Sequence, residues 1–121
     1  MFGVMPASIE HIRAGKLRAL AVTGTARSKV LPDLPTVGEF LPGYEASGWY
    51  GIGVPKGTTS EIAEKLNKEI NAAVVESKMQ DRLADLGAVA TPMTPGEFGK
   101  FIADEVAKWA KVVKFAGIKP G

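Results

Sequence analysis

Apolar side chains recur every three or four residues along the second half of the chain. The longest run is one stripe between Pro95 and Ala116: Phe98, Phe101, Ile102, Val106, Trp109, Val112, Val113 and Ala116. Two shorter runs keep the same spacing, the first with Ile62, Leu66, Ile70 and Val74 and the second with Met79, Leu83 and Leu86. This period is typical of helices that bury one face. The pattern predicts three consecutive helices, with Trp109 at the centre of the buried face of the third.

Each of these three helices is preceded by a capping signal. A hydroxyl side chain followed three residues later by an acid or amide can close a capping box, in which the two residues cap each other's backbone. The three pairs are Thr58 with Glu61, Ser77 with Gln80, and Thr94 with Glu97. We therefore expect helices over Thr59 to Glu76, from Ser77 to a stop at Gly87, and over Pro95 to Ala116. Pro95 suits a first helical turn, where its missing N–H is harmless.

The first half of the chain predicts strands around one short helix. Residues 1–5 are typical of the end of a strand, Pro6 to Ala14 of a helix with Ile9 and Ile12 inward, and residues 17–22 of a second strand. Gly15 is expected to end the helix. A strand, a helix and a strand in this order predict a βαβ unit with parallel strands. Residues 49–54 predict another strand and residues 88–91 a brief one, so the expected fold class is α/β.

A long segment without a clear pattern lies between Gly24 and Gly48. It is rich in glycine, proline, serine and threonine, and only residues 37–40 look helical. Loops of this length are usually functional or lie between domains.

The ends of the parallel strands are the expected place for a ligand. In open α/β sheets, ligands bind beyond the carboxyl ends of the strands, beside helix N-termini. The backbone amides at the helix start could cradle an anion, and the loop after the second strand adds hydroxyl groups and one cation. An ordinary helix cap and an ordinary polar turn would use the same residues equally well. The predicted ligand-binding residues are Gly3, Ala7, Ser8, Thr23, Thr25 and Arg27.

Composition and charge fit a single ordinary globular domain. The 121 residues are 45% hydrophobic and 23% charged, with a net charge of +2. So small a charge, without a basic stripe, argues against a nucleic-acid partner. The absence of cysteine excludes disulfides and thiolate chemistry. No long apolar run occurs, and the start lacks a basic segment followed by an apolar core. We therefore expect no membrane span and no secretory signal in this chain.

Residues suited to catalysis are few. The single histidine, His11, lies on the polar side of the first predicted helix, and the adjacent Glu10 points elsewhere on that helix. A lone surface histidine is usually inert. No nucleophile elbow, metalloprotease, P-loop or dinucleotide motif occurs. The sequence therefore predicts a protein that is not an enzyme and uses no cofactor or metal.

One continuous motif extends from residue 15 to residue 58: GKLRALAVTGTARSKVLPDLPTVGEFLPGYEASGWYGIGVPKGT. In the spacing of its arginine, LPDLPT, glutamate, PGYE, WYGIGVP and GT, it resembles the extracytoplasmic solute receptors of the tripartite tricarboxylate transporters, the Bug family. The resemblance extends from SIEHIRAGK near the start to KWAKVVKFAGIKP near the end. It covers essentially the whole chain, which looks like the C-terminal part of a two-domain receptor.

The resemblance implies a fold and a function. Such receptors are two-lobed proteins of the type II periplasmic-binding-protein kind, which close about a hinge. They capture a small carboxylate or amino acid in the cleft between the lobes and pass it to membrane permease subunits, so a periplasmic location is implied. Residues 1–47 would be a remnant of the second lobe, and residues 48–121 the C-terminal part of the first. Where such receptors commonly carry an acid and an amide after the phenylalanine, this chain has Gly3 and Val4.

A second hypothesis stays open from the sequence. The chain could be a truncated product without transport activity, persisting as a small self-associating or partner-binding domain. Splitting a two-lobed fold exposes apolar surface, and exposed apolar patches tend to find partners. This interpretation predicts a dimer or higher homo-oligomer.

Overall fold

A computed structural model describes residues 1–119, and in that range the regular secondary structure is helical. The helices are α1 (Met5–Arg13), α2 (Ser60–Val74), α3 (Ser77–Asp85) and α4 (Pro95–Phe115), with a short 3₁₀ turn at Val37–Glu39. All four helices were expected from the apolar spacing, and their ends differ from the expected ones by at most two residues. None of the helices in this range is long and apolar enough to cross a bilayer.

The chain divides into two compact units. The first contains Met1–Gly53 together with Val74–Ala90, and so holds α1, the 3₁₀ turn and α3. The second contains Val54–Ala73 and the chain from Thr91 onward, and so holds most of α2 and the whole of α4. All the predicted ligand-binding residues fall in the first unit.

Helix α1 forms as the sequence predicts. Pro6 lies in its first turn, where no hydrogen bond is lost. Gly15 follows its last turn with a φ of +69°, a left-handed conformation that ends the helix and that glycine adopts without strain. Ile9 lies on the inward face of α1 and is 1% exposed. Among residues 1–119, it is the one apolar residue that is fully buried.

The predicted strands do not form in this chain. Over residues 1–119 no strand ladder is assigned, and the pairing that exists is an isolated parallel bridge between Val22 and Thr36. The expected βαβ pairing of residues 1–5 with residues 17–22 is therefore wrong for this structure. A strand is stable only when a neighbouring strand satisfies its N–H and C=O groups. Residues 17–22 and 49–54 have strand-like sequences, but within the described part of the chain neither segment lies in a ladder with another strand.

Two of the three predicted capping boxes are wrong. The box of Thr94 and Glu97 forms with both of its hydrogen bonds. Helix α2, however, begins at Ser60, and the hydroxyl of Thr58 donates to the carbonyl of Pro55 at 2.9 Å instead. Helix α3 follows α2 so closely that Glu76 is already its cap residue, without a side-chain bond, and Ser77 is the first helical residue. Spacing alone does not decide which of several neighbouring polar residues the chain uses as the cap.

The apolar stripe of α4 is not buried in this structure. No residue of α2, α3 or α4 is classed as buried, and Val106, near the middle of the α4 stripe, is 64% exposed. Trp109, predicted at the centre of a core, is 39% exposed. The predicted helix over this stripe is confirmed, but residues 1–119 do not supply a surface that covers the stripe.

A polar contact ties α2 to the segment before α4 in the second unit. The side-chain amides of Asn67 and Asn71 both donate to the carbonyl of Met93, at 2.8 and 2.9 Å. Asn71 also donates to Oδ1 of Asn67 at 3.2 Å. The two residues are one helical turn apart, so they present their amides on the same face of α2.

Candidate functional site

The first group of predicted binding residues lies at the start of α1. A Cβ added to Gly3 would lie 2.9 Å from Oγ of Ser8, so the glycine backbone and the serine hydroxyl are close together. The amide of Ala7 donates to the carbonyl of Val4 at 3.2 Å, which is an ordinary bond of a first helical turn. In this structure the amide of Ala7 therefore has a partner within the first helical turn, and its contact with an anion stays a prediction.

The second group follows the strand-like segment. Thr23 accepts a backbone hydrogen bond from the amide of Ala46 at 2.9 Å, which brings the two ends of the long loop together. Thr25 is exposed and lines a cavity of about 420 Å³. The cavity is formed by one stretch of the first unit, and its walls are Thr25, Thr36, Gly38, Glu39, Gly43, Tyr44 and Glu45.

Residues 47 and 48 lie between the two groups. A Cβ added to Gly48 would lie 3.7 Å from Cγ1 of Val4, and one added to Gly24 would lie 3.9 Å from Oγ of Ser47. Val4 at the start of α1 and Gly24 in the loop between Thr23 and Thr25 therefore both lie close to residues 47 and 48. The structure thus brings the two predicted groups into one neighbourhood.

Arg27 differs from the other predicted binding residues, because its guanidinium is hydrogen-bonded to the carboxylate of Glu39. Nε donates to Oε1 of Glu39 at 2.9 Å, and a terminal nitrogen donates to Oε2 at 2.6 Å. The other terminal nitrogen lies 3.5 Å from the carbonyl of Pro32. The sequence interpretation placed Arg27 as a cation for a ligand, and the structure places it in a two-point ion pair within the loop.

Glu39 is held in its ionised form by its surroundings. The hydrogen bond from Arg27 and the amide of Thr36, which donates to Oε1 at 2.9 Å, together lower the pKa of Glu39 to about 2. Thr36 completes a capping box by accepting from the amide of Glu39 at 3.2 Å, and it is only 6% exposed. This capping box was missed from the sequence, although the Thr36-to-Glu39 spacing has the same form as the three pairs that were singled out.

The site offers hydroxyl groups and backbone polar groups rather than reactive side chains. His11 lies exposed on α1. Nowhere in residues 1–119 do three acidic or histidine side chains come together as a metal site would require. What these residues can do chemically is hold a polar ligand by hydrogen bonds.

Solved structures of binding proteins share this fold. The chain matches R. palustris Rpa4515, solved with adipate, with a TM-score of 0.89 and 37% identity, over 97% of this chain and 40% of that chain. It matches the periplasmic binding protein BugD with a TM-score of 0.84 and 35% identity, over 93% of this chain and 38% of that chain. The fold is thus that of part of a periplasmic binding protein.

The particular family follows from the sequence relatives. Residues 1–118 match the family described as the tripartite tricarboxylate transporter family receptor, and the chain belongs to that family. BugT of Bordetella pertussis is 42% identical over 116 residues, which is 95% of this chain and 36% of BugT. A UPF0065 protein in the TAR-I ttuE-ttuC' intergenic region of Agrobacterium vitis is 38% identical over 111 residues, 88% of this chain and 32% of that protein. The chain spans about a third of the length of these relatives.

Proposed function

We propose that this chain is part of an extracytoplasmic solute-binding protein that captures a small carboxylate or amino acid for a tripartite tricarboxylate transporter. The observation that carries the proposal is the family match over residues 1–118. A carboxylate as the ligand is supported by the similar structure of Rpa4515, which was solved with adipate, a dicarboxylate. The proposed role is binding and delivery, not catalysis.

The location and the partners are proposed on the same ground. BugD is a periplasmic binding protein, and the family is named for its transporter. We therefore place the receptor in the periplasm and expect it to deliver its solute to membrane permease subunits.

In the intact receptor, we propose that residues 1–47 belong to the second lobe of a type II, two-lobed fold and residues 48–121 to the C-terminal part of the first. Further polypeptide would then supply the rest of both lobes. Two observations support this: the chain spans 40% of Rpa4515, and the apolar stripe of α4 is exposed. In that arrangement, the strand-like residues 17–22 and 49–54 would lie beside neighbouring strands supplied by the further polypeptide.

Five uncharged residues remain the proposed solute contacts in this chain: Gly3, Ala7, Ser8, Thr23 and Thr25. They share one neighbourhood of the first unit, at the start of α1 and in the loop after residue 22. Arg27 was predicted with them, but its bonds to Glu39 favour a different role.

A second candidate function is that of a truncated, non-transporting domain that self-associates or binds a partner. The exposed apolar side chains of the described chain favour it, with Tyr50 at 85% and Phe115 at 96% among them. Light scattering measures the oligomeric state of the chain without any solute. The second candidate function requires a stable dimer or higher oligomer under those conditions, so a clean monomer would contradict it.

A hybrid receptor tests the main proposal. In the hybrid, this chain replaces the matching 40% of Rpa4515, and adipate is the ligand. We expect calorimetry to give a dissociation constant of about 10 μM or tighter for the hybrid and a weaker one for the isolated chain, because a site must cover most of its ligand. A hybrid that folds, by circular dichroism, but does not bind adipate would contradict the proposal.

Matched variants of the hybrid localise the site. Thr25→Val keeps the shape of the side chain but removes its hydroxyl, and we expect it to weaken adipate binding about tenfold. Thr58→Val is the control, because that hydroxyl is bonded to the carbonyl of Pro55 in the second unit. Equal effects of the two substitutions would contradict the proposed contact.

A further inference from the structure

The ion pair of Arg27 and Glu39 closes a loop between two residues that lie twelve positions apart in the sequence. Both oxygens of the carboxylate are bonded to the guanidinium, at 2.9 and 2.6 Å. A two-point pair of this kind aligns two planar groups, and so it restricts geometry more than a single contact does. Both side chains are about half exposed, and an isolated surface pair would contribute little. The significance of this pair therefore depends on what else its two partners hold.

Glu39 is anchored to a buried residue. Its Oε1 accepts from the amide of Thr36, and its own amide donates to the hydroxyl of Thr36. Because Thr36 is 6% exposed, the carboxylate that Arg27 binds is fixed to the interior of the first unit rather than to a free side chain. Asp33 adds a second favourable negative charge near Arg27.

The backbone around Thr36 is in turn tied to the end of the strand-like segment. The amide of Val22 donates to the carbonyl of Pro35, and the amide of Val37 donates to the carbonyl of Val22, both at 2.9 Å. One residue further along, the backbone carbonyl of Thr23 accepts a hydrogen bond from the amide of Ala46. Within residues 22–46 the backbone therefore contacts its first two residues at two places, first near Thr36 and again at Ala46.

Such a closed loop is costly to order without cross-links. The stretch from residue 24 to residue 48 contains four glycines (Gly24, Gly38, Gly43, Gly48) and no strand ladder within the described chain. Ordering a backbone of this kind costs conformational entropy, so the bonds that hold it closed decide how rigid it is. The Arg27–Glu39 pair joins its first part to the 3₁₀ turn.

We propose that the Arg27–Glu39 pair is a clamp that holds residues 22–46 closed and thereby positions Thr23 and Thr25. Arg27 acts as a positioning residue through Glu39 and does not contact the solute. The part of this inference that concerns the solute rests on the proposed function. The clamp itself does not, and it is tested on the chain without any ligand.

Amide hydrogen exchange measured by NMR on the full chain tests the clamp. We expect Arg27→Ala and Glu39→Gln each to raise exchange at the amides of Val37 and Ala46 about tenfold. The Glu39→Gln side chain keeps one oxygen that can serve the capping box, and it loses the charge and the second acceptor for Arg27. The double variant should exchange no faster than either single variant, since all three remove the same interaction. Exchange in α4 should not change.

Two further variants sharpen the result. Arg13→Ala removes another surface ion pair, in which the arginine is as exposed as Arg27 and the partner, Glu10 on α1, is more exposed than Glu39. It should leave exchange at Val37 and Ala46 unchanged. Arg27→Lys keeps the charge without the two-point geometry and should restore part of the protection. Two results would overturn the clamp. One is that Arg27→Ala changes the exchange rates of the Val37 and Ala46 amides by less than twofold, and the other is that exchange rises equally throughout α4.

The hybrid receptor separates positioning from contact. If both residues act through the loop, Arg27→Ala and Glu39→Gln weaken adipate binding by similar factors. A much larger loss in Arg27→Ala than in Glu39→Gln would show direct contact and overturn the positioning role. A folded hybrid that binds no adipate counts against the proposed function, whereas the exchange experiment still decides the clamp.

Discussion

Nε1 of Trp109 donates a hydrogen bond to Oε2 of Glu105, one turn earlier on α4, at 2.9 Å. Lys108 lies 2.6 Å from the other oxygen of that carboxylate and 5.3 Å from the centroid of the indole ring. A polar network along α4 thus orients the indole, and residues 1–119 leave Trp109 39% exposed.

This contact revises the expected effect of Trp109→Ala. Replacing a fully buried tryptophan with alanine typically costs about 3–5 kcal/mol, because the substitution leaves a cavity. With Trp109 39% exposed, we expect the free energy of unfolding to fall by only about 1–3 kcal/mol. Urea denaturation followed by circular dichroism measures it. Trp109→Phe should recover most of the loss, and Lys111→Ala should leave the midpoint unchanged. A completely unfolded Trp109→Ala would mean that the ring is buried in solution.

Gly87 and Gly15 form a matched pair for testing close packing. Both have a left-handed backbone, with φ of +70° and +69°, so an alanine at either should cost about 1–2 kcal/mol from conformation alone. A Cβ at Gly87 would also collide with Cγ of Met5 and lie 3.2 Å from Cγ2 of Val30, whereas a Cβ at Gly15 would meet nothing within 4 Å.

We therefore expect Gly87→Ala to be the more destabilising of the two, by about 1–3 kcal/mol, the usual cost of overpacking. Thermal denaturation of the two variants gives the comparison directly. Equal melting temperatures would contradict the packing of Met5 against the end of α3.

The two asparagines of α2 should act together. Since Asn67 and Asn71 share the carbonyl of Met93, either alone still satisfies it, and each single alanine variant should lose only about 1 kcal/mol. The double variant leaves that carbonyl without either donor, so we expect a loss greater than the sum of the single losses. Urea midpoints of the four proteins test this, with Lys68→Ala on the same helix as the control. Strict additivity would show that the contacts are independent.

Acid should weaken the loop through Glu39. The hydrogen bond from Arg27, followed by the backbone bond from Thr36, lowers the pKa of Glu39 from 4.5 to about 2. Because the folded state favours the ionised form, this contribution is complete above the unfolded value of 4.5 and is lost as the pH falls through 2. A backbone bond from Thr94 also lowers the pKa of Glu97, with the same sign.

We therefore expect the melting temperature to fall less steeply between pH 5 and pH 2 in Glu39→Gln than in the unmodified chain. Arg27→Ala should flatten the profile in the same way, because it removes the main cause of the shift. Parallel profiles for all three proteins would contradict the assignment.

Several local features followed from the sequence because their determinants lie close together in the chain. The glycine stops at Gly15 and Gly87, the capping box of Thr94 and the apolar period of α4 each depend on residues within a turn or two, and all are present. The missed box at Thr36 has the same local form. The ambiguous starts of α2 and α3 show the limit, because several polar residues stand side by side there.

Tertiary structure decided the features that depend on distant partners. Residues 17–22 have a strand-like sequence, but a strand forms only beside another strand, and the described chain supplies only the bridge from Val22 to Thr36. Arg27 is predicted to bind a ligand because it is a cation in the loop after a predicted strand end, and only the fold brings Glu39 within 2.6 Å of it. The sequence by itself thus determined which segments are helical and which faces are apolar. Contacts between residues far apart in the chain decide what covers those faces and which charges pair with one another. The periodicity of the sequence carries no information about such contacts.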